Sequence, residues 1–410
     1  MLAKLLFGLV AKQGNLTVTH ADGKSHSYGD GRGPKVSIRI KDWMTELKLF
    51  INPKLALGEA YVDERLTLEK GNLYDFLEIC VRNVKNFEGH PFWSKVEWLA
   101  SHLRFLRTIN PVGRARRNVA HHYDLKAELY DLFLDEDKQY SCAYFRHPDQ
   151  SLEAAQSDKK RHLAAKLLLD KPGLSILDIG SGWGGLGLYL ARTSNAELTG
   201  LTLSTEQHRL SNARAAAMGL ADKVRFLLQD YRLCKGTFDR IVSVGMFEHV
   251  GPKHYRQYFR RARALLKDDG VMVLHSIGSS VPAAPTNPWI TKYIFPGGHV
   301  PSLSEVIPAI EKERLVVTDL EVLHLHYAET LRHWRERFNA QREKARKLYD
   351  ERFCRMWDFY LAICELGFRF NDLMVFQVQL AKTPEAVPWR RDYIYDWERR
   401  EAPKRSQAAE

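Results

Sequence analysis

Ile176-Leu177-Asp178-Ile179-Gly180-Ser181-Gly182-Trp183-Gly184-Gly185 is the stretch whose reading decides the fold. An apolar run reaches a carboxylate and then a series of glycines, so a strand stops and the backbone turns tightly into a helix. Gly180, Gly182 and Gly185 match GxGxxG, a loop that lets a nucleotide approach the backbone with no Cβ in the way. The motif alone does not choose the nucleotide. A dinucleotide enzyme holds the ribose with an acidic residue at the end of its second strand. Here that strand ends Gly200-Leu-Thr-Leu-Ser204 and carries Glu197 at its beginning, which favours a methyltransferase over a nicotinamide dehydrogenase. A P-loop is excluded because no GK[ST] follows the glycines. The plain alternative is a structural turn without a ligand, and the meeting of three glycines with Asp178 at a strand's carboxyl end weighs against it.

Outward from the loop, apolar strands alternate with helices, the pattern of parallel strands joined by crossover helices. Strands are expected at Ser175–Ile179, Glu197–Leu203, Val224–Gln229, Asp239–Val244, Val271–Ser276, Val316–Val322 and Met374–Leu380. Seven strands fit one doubly wound α/β sheet. Residues 279–303, rich in Pro and Gly with Trp289, Tyr293, Ile294 and Phe295, are long for a plain loop and read as a lid or substrate wall. Helices are expected over Tyr327–Lys347 and Glu351–Phe370. Upstream, the alternation of Lys35–Ile40 and the helical spacing of Leu73–Asn83 indicate a small α+β domain over residues 1–110. Asn110-Pro111-Val-Gly113 punctuates a basic segment, Arg104–Arg117, and places a linker at 111–120. The catalytic domain then spans 121–400, and the polar residues 401–410 form a disordered tail.

Composition narrows the partners. The chain has 410 residues, 45% of them hydrophobic, enough for one full-sized core and a smaller second one. Lys and Arg outnumber Asp and Glu 61 to 50, giving a net charge of +11 that favours anionic partners. The five cysteines form no CxxC, which argues for free thiols in a reducing compartment. Leu5–Val10 is far short of the roughly 20 apolar residues that span a bilayer, so a cytoplasmic protein touching membranes from outside is expected.

Asp230 closes the third strand, where a carboxylate can accept from an adenine amino group while Tyr231 covers the ring. An equally good reading makes Asp230 the cap of a turn. His121-His-Tyr-Asp124, Gln139-Tyr-Ser-Cys-Ala-Tyr-Phe145, Met246-Phe-Glu-His-Val-Gly251, Leu274-His-Ser-Ile-Gly278 and Tyr293-Ile-Phe-Pro-Gly-Gly298, in this order, resemble the cyclopropane-fatty-acyl-phospholipid synthases and related mycolic acid methyltransferases. Gly58-Glu-Ala-Tyr61 resembles the N-terminal extension of the longer phospholipid synthases. The resemblance implies a Rossmann-like class I S-adenosylmethionine-dependent methyltransferase, in which Tyr140, Ser141, Asp178, Gly180, Ser181, Gly182, Trp183, Gly184, Thr202, Gln207, Asp230 and Tyr231 line the S-adenosylmethionine pocket. It also implies a bicarbonate ion acting as base at Cys142, Glu248, His275, Ile277 and Tyr327, with Cys364 where some members carry an active-site cysteine. A phospholipid substrate and a homodimer follow from the same likeness. The basic segments Arg104–Arg117 and Arg332–Arg352 suit contact with an anionic membrane surface, although a solvated helical face is the default reading for the second.

The residues have duller readings too. An isolated histidine such as His275 at a strand end is commonly a bonded core residue, and only the motif reverses that. Glu248 or His249 can cap the helix that starts near Pro252, and function is assigned to Glu248 alone. His324 and His326 lack a third ligand at suitable spacing, so no metal is expected. Nucleic-acid binding would fit the charge, but neither an RNP-like element nor a zinc ribbon is present in the sequence. A fatty acyl C-methyltransferase making a methyl or methylene branch shares the chemistry up to the last proton lost.

Overall fold

The computed structural model describes residues 2–88 and 126–400. The basic segment Arg104–Arg117, the linker at 111–120, the His121–Asp124 motif and the tail at 401–410 lie outside the described residues.

The first unit holds a four-stranded sheet of β1 (Asn15–Thr19), β2 (Ser25–Tyr28), β3 (Lys35–Ile40) and β4 (Leu66–Lys70), in the order β2-β1-β3-β4. Leu16, Val18, Val36, Ile38 and Ile40 alternate onto its buried face. Against them lies the helix Leu73–Arg82, started by Asn72, whose side chain accepts from the Asp75 amide at 2.9 Å. It buries Leu73, Phe76, Leu77, Ile79 and Val81, each contributing about 1.5–3 kcal/mol if fully transferred from water. The same helix packs against Glu351–Phe370, so the core of this unit runs without a break through Tyr130 and Phe133 to Trp334 and Trp357.

The second sheet has seven strands: β5 (Ser175–Ile179), β6 (Glu197–Thr202), β7 (Val224–Leu228), β8 (Phe238–Val244), β9 (Leu266–Ser279), β10 (Val316–Leu323) and β11 (Leu373–Ala381). Their order is β10-β11-β9-β8-β5-β6-β7. β5 to β9 are parallel where they pair, and β11 runs antiparallel between β9 and β10. The helices Gly185–Ser194 and Tyr255–Leu265 cover opposite faces, each over its own apolar layer. This is the α/β doubly wound fold expected. Strand order reverses between β5 and β8, and the crevice beyond their carboxyl ends is where such sheets bind ligands.

One helix differs from expectation, and the long stretch after β9 takes a definite form. The helix expected over Tyr327–Lys347 is broken at Gln341 into His326–Ala340 and Arg342–Leu348. The stretch at 279–303 is a closed excursion from the end of β9. Its ends meet where the Ser279 amide donates to the Pro301 carbonyl at 2.8 Å, and it contains the helix Pro288–Tyr293. That helix docks on the first unit. Gly58 leaves room for the Trp289 indole, which would sit 2.5 Å from a Cβ there, and Glu59 accepts from Lys292 at 2.7 Å and Tyr293 at 2.8 Å. Tyr61 stacks on Phe359 at 6.1 Å. The Gly58–Tyr61 motif is thus a socket for the excursion.

Candidate active site

At the β5–β8 switch point the glycine loop is pinned from behind. The amides of Gly180 and Ser181 both donate to the Leu201 carbonyl at 2.9 Å, and Arg214 donates to the Trp183 carbonyl at 2.8 Å. Gly180 has φ of 88°, and a Cβ there would lie 2.8 Å from Met246 Cβ, so both conformation and space demand glycine. The loop opens onto a cavity lined by Asp178, Gly180, Ser181, Gly182 and Trp183, by Thr202 and Gln207 at the end of β6, and by Asp230 and Tyr231 at the end of β7. Tyr140 and Ser141 close it from the other side. At Gly184 the Cβ direction is filled by Phe226 at 2.7 Å and Ser211 at 2.9 Å, and the neighbouring Gly185 lines the cavity wall.

The polar groups of this cavity are poised for a ligand. Asp178 Oδ2, Ser181 Oγ and Trp183 Nε1 are buried with no protein partner, which a native site normally resolves with a bound polar molecule. Burial pushes the Asp178 carboxyl up to about 7, against the opposing pull of Lys159. Thr202 donates to Gln207 at 2.8 Å. Asp230 caps a turn and also faces the cavity. It caps the short turn Tyr231–Leu233 through the Arg232 amide at 2.9 Å and pairs with the Arg232 guanidinium at 2.7 Å. An adenine amine would have to share an oxygen already engaged.

A second polar group sits beyond the first. Glu248 is buried after β8, and its Oε1 accepts from the Ile277 amide at 2.6 Å, while Oε2 has no partner. β8 ends at Val244, opposite His275, and Ile277 lies past that end, where its amide is open to a side chain. Burial pushes the Glu248 carboxyl up to about 7, so much of it is neutral at that pH and can donate from Oε2. His275 is buried and held neutral, its pKa pushed far down by burial. The Gln377 side-chain amide donates to its Nδ1 at 3.1 Å, which leaves the proton on Nε2. Cys142 is buried, its Sγ 3.2 Å from the Ala143 carbonyl. The Ala143 amide bonds Thr330 at 3.0 Å on the helix that carries Tyr327, a buried phenol against Trp334 and Phe368. Of these, Glu248 and Ile277 are in direct hydrogen-bond contact. Cys364 lies beside Tyr360, with its thiol pushed up to about 12 by burial.

Lys159 and Tyr360 escaped the sequence reading, which named His249 without assigning it a function. Lys159 is fully buried, donates to Gln139 at 2.7 Å and Ser141 at 2.9 Å, and has its pKa pushed down to about 8, chiefly by burial. Tyr360 bonds the Tyr140 hydroxyl at 2.9 Å. His249 lines the cavity, neutral because burial takes it down to about 4. His326 accepts from the Phe145 amide at 3.0 Å and stacks on Tyr144, so its ring serves the scaffold.

Sheet order, glycine loop and cavity together define a Rossmann-like class I S-adenosylmethionine-dependent methyltransferase. The chain belongs to the mycolic acid cyclopropane synthetase family, whose model matches residues 112–378. A domain of unknown function (DUF7884) matches residues 4–90. The chain is 37% identical over 356 residues to the cyclopropane-fatty-acyl-phospholipid synthase of Escherichia coli, covering 87% of this chain and 90% of that one. It is 36% identical over 377 residues to a probable fatty acid methyltransferase of Pseudomonas putida, covering 89% and 93%. Among solved structures, a cyclopropane synthase of Mycobacterium tuberculosis aligns with a TM-score of 0.63 at 33% identity over 67% of this chain and 99% of that one. A mycolic acid cyclopropane synthase complexed with SAH and CTAB aligns with a TM-score of 0.62 at 34% identity, covering 66% and 99%. Among the described residues no helix is long and apolar enough to cross a membrane.

Proposed function

We propose that this enzyme adds a methylene group from S-adenosylmethionine across the cis double bond of an unsaturated acyl chain in a membrane phospholipid, forming a cyclopropane ring. The observation that carries the reading is the pairing of buried Glu248 with the amide of part-buried Ile277, near buried His275, with no hydrogen-bond partner for Glu248 Oε2. S-adenosylmethionine supplies an electrophilic methyl group, for which Asp178 offers an unpartnered carboxyl oxygen and Asp230 with Tyr231 offers an adenine wall. The protein then has to align the alkene carbon with the C–S bond and exclude water, which is worth on the order of 7–11 kcal/mol. As the C–C bond forms and the C–S bond breaks, positive charge develops on the acyl chain. A proton must leave the new methyl group before the ring closes. Bicarbonate supplies the base for that proton when bound. His275 Nε2–H, a neutral Glu248 and the Tyr327 phenol are the donors that suit such an anion, with Cys142 behind them. The Ile277 amide is spent on Glu248, so Ile277 acts by holding that carboxyl in place.

The first unit, residues 1–110, would be a lipid-associated domain joined through 111–120 to a catalytic domain with its acyl wall at 279–303. A homodimer on the inner face of the membrane completes the reading. Incubation of the purified protein with S-adenosylmethionine and vesicles of unsaturated phospholipid, followed by proton NMR of the acyl chains, tests it. High-field ring protons are expected. Unchanged vesicle lipids alongside methylated acyl carriers would sink the phospholipid assignment.

A second reading gives a methyl- or methylene-branched product. It is favoured by the near-equal identity to the Pseudomonas putida protein, named a probable fatty acid methyltransferase. Olefinic or methyl-branch resonances in the same spectrum would select it.

A further inference from the structure

We infer that the outward face of the helix Trp43–Ile51 is the surface on which this protein rests against a bilayer containing anionic phospholipid. The inference builds on the reading that its acyl substrate belongs to a membrane lipid.

Trp43, Leu47 and Ile51 are four residues apart, and Met44 falls beside them, so all four share one stripe of the helix. The opposite face, Thr45, Glu46 and Leu49, is buried on the body of the unit. What the helix turns outward is therefore apolar, with Trp43 67% and Ile51 52% exposed. The helix Leu2–Val10 packs alongside and adds Leu5, itself 51% exposed. Scattered exposed apolar residues need no explanation, but a stripe of them along one helix does.

The charges around the stripe choose the partner. Lys48 lies on the stripe and Lys41 at its start, both exposed, and neither forms an ion pair among the described residues. The nearby acids are otherwise engaged. Asp42 caps the helix at the Thr45 amide, 2.8 Å away, Asp22 pairs with Lys4, and Glu46 is buried against His20. Lysine is depleted from the centre of protein–protein interfaces, whereas a lysine beside apolar side chains suits a headgroup layer, with its stem in the acyl boundary and its ammonium at a phosphate. Trp43 has the same division between apolar ring and polar N–H.

The surface also adjoins the proposed acyl wall. Asn52 follows Ile51 and opens the helix Pro53–Val62, whose Gly58 and Glu59 hold the excursion at 279–303. Lys48 lies close enough to Glu59 to help keep its carboxyl ionised. Seating the stripe in lipid would bring the excursion to the bilayer surface.

Flotation of the full-length protein with vesicles of dioleoyl phosphatidylglycerol mixed with phosphatidylcholine, and with phosphatidylcholine alone, tests the inference. Trp43→Ser combined with Ile51→Ser should weaken binding to the mixed vesicles about tenfold or more. Lys41→Glu with Lys48→Glu should weaken binding to the anionic vesicles only. Both variants should keep S-adenosylmethionine binding by calorimetry and turnover of detergent-dispersed lipid. Vesicle binding equal to wild type in both variants overturns the inference, as does a switch from dimer to monomer with vesicle binding intact, which would assign the stripe to a second copy. If wild type floats by this face yet leaves the vesicle lipids unmodified, the substrate reading falls and the docking surface stands. If both variants bind and convert vesicle lipid as wild type does, the reverse holds.

Discussion

The carboxylate of Glu248 accepts the Ile277 amide at 2.6 Å across the point where β8 has ended, so a residue after one strand fixes the edge of the next. Its burial raises its pKa from 4.5 to about 7. A carboxyl raised in the folded state stabilises the fold least when ionised: stability is full below about 4.5 and declines as pH rises to about 7. The loss over that window is on the order of 3 kcal/mol. Glu248→Gln should keep the bond to Ile277 and flatten this dependence, measured by urea unfolding at pH 4.5 and 8. It should also lower kcat at least about a hundredfold while leaving S-adenosylmethionine affinity near wild type. A variant with wild-type turnover would remove Glu248 from the site.

Gly180→Ala places a methyl group against Met246 and an L residue at a positive φ. A cost of about 1–3 kcal/mol in stability is expected from the backbone alone. The affinity for S-adenosylmethionine should fall with it, read by calorimetry. Unaltered affinity would mean that the loop does not set the cavity wall.

Gly58→Val drives a side chain into the Trp289 indole, whose nitrogen lies 2.5 Å from the point a Cβ would occupy. Overpacking costs about 1–3 kcal/mol, and the excursion at 279–303 is the part able to move away. Turnover of lipid should drop several-fold with S-adenosylmethionine binding preserved. Equal loss of both would indicate global damage, and Glu59→Gln, which only weakens the bonds to Lys292 and Tyr293, separates the two cases.

Cys364→Ser should retain activity within about threefold. The thiol titrates only near 12, so little thiolate exists at neutral pH to act as a nucleophile. A loss of a hundredfold would contradict a bystander role.

The seven-stranded sheet was legible because its central strands are buried on both faces and read as apolar runs, as at Val271-Met272-Val273-Leu274. The first unit was less so. β2 is Ser25–Tyr28, largely exposed and polar, and no periodicity announces it. Gly180 and Asp178 stood out because a turn into a helix needs that chemistry. Lys159 could not: its helix Leu152–Lys166 buries Gln156, Asp158, Lys159, Arg161 and His162 among its apolar residues, so no apolar stripe marks an inward face. Its significance comes from Gln139 and Ser141, contacts made across the fold. Asp230 shows the same limit, since its partner Arg232 is local while its cavity is assembled from several strands.

β11 is the last strand among the described residues and yet lies inside the sheet, between β9 and β10. During synthesis the sheet must therefore wait with a gap until Leu373–Ala381 emerges, and Tyr360, which braces Tyr140, arrives only shortly before it. The cofactor loop near residue 180 is made early, but the enclosure around it is completed late. A nascent chain thus cannot finish this site before Leu373–Ala381 has been translated.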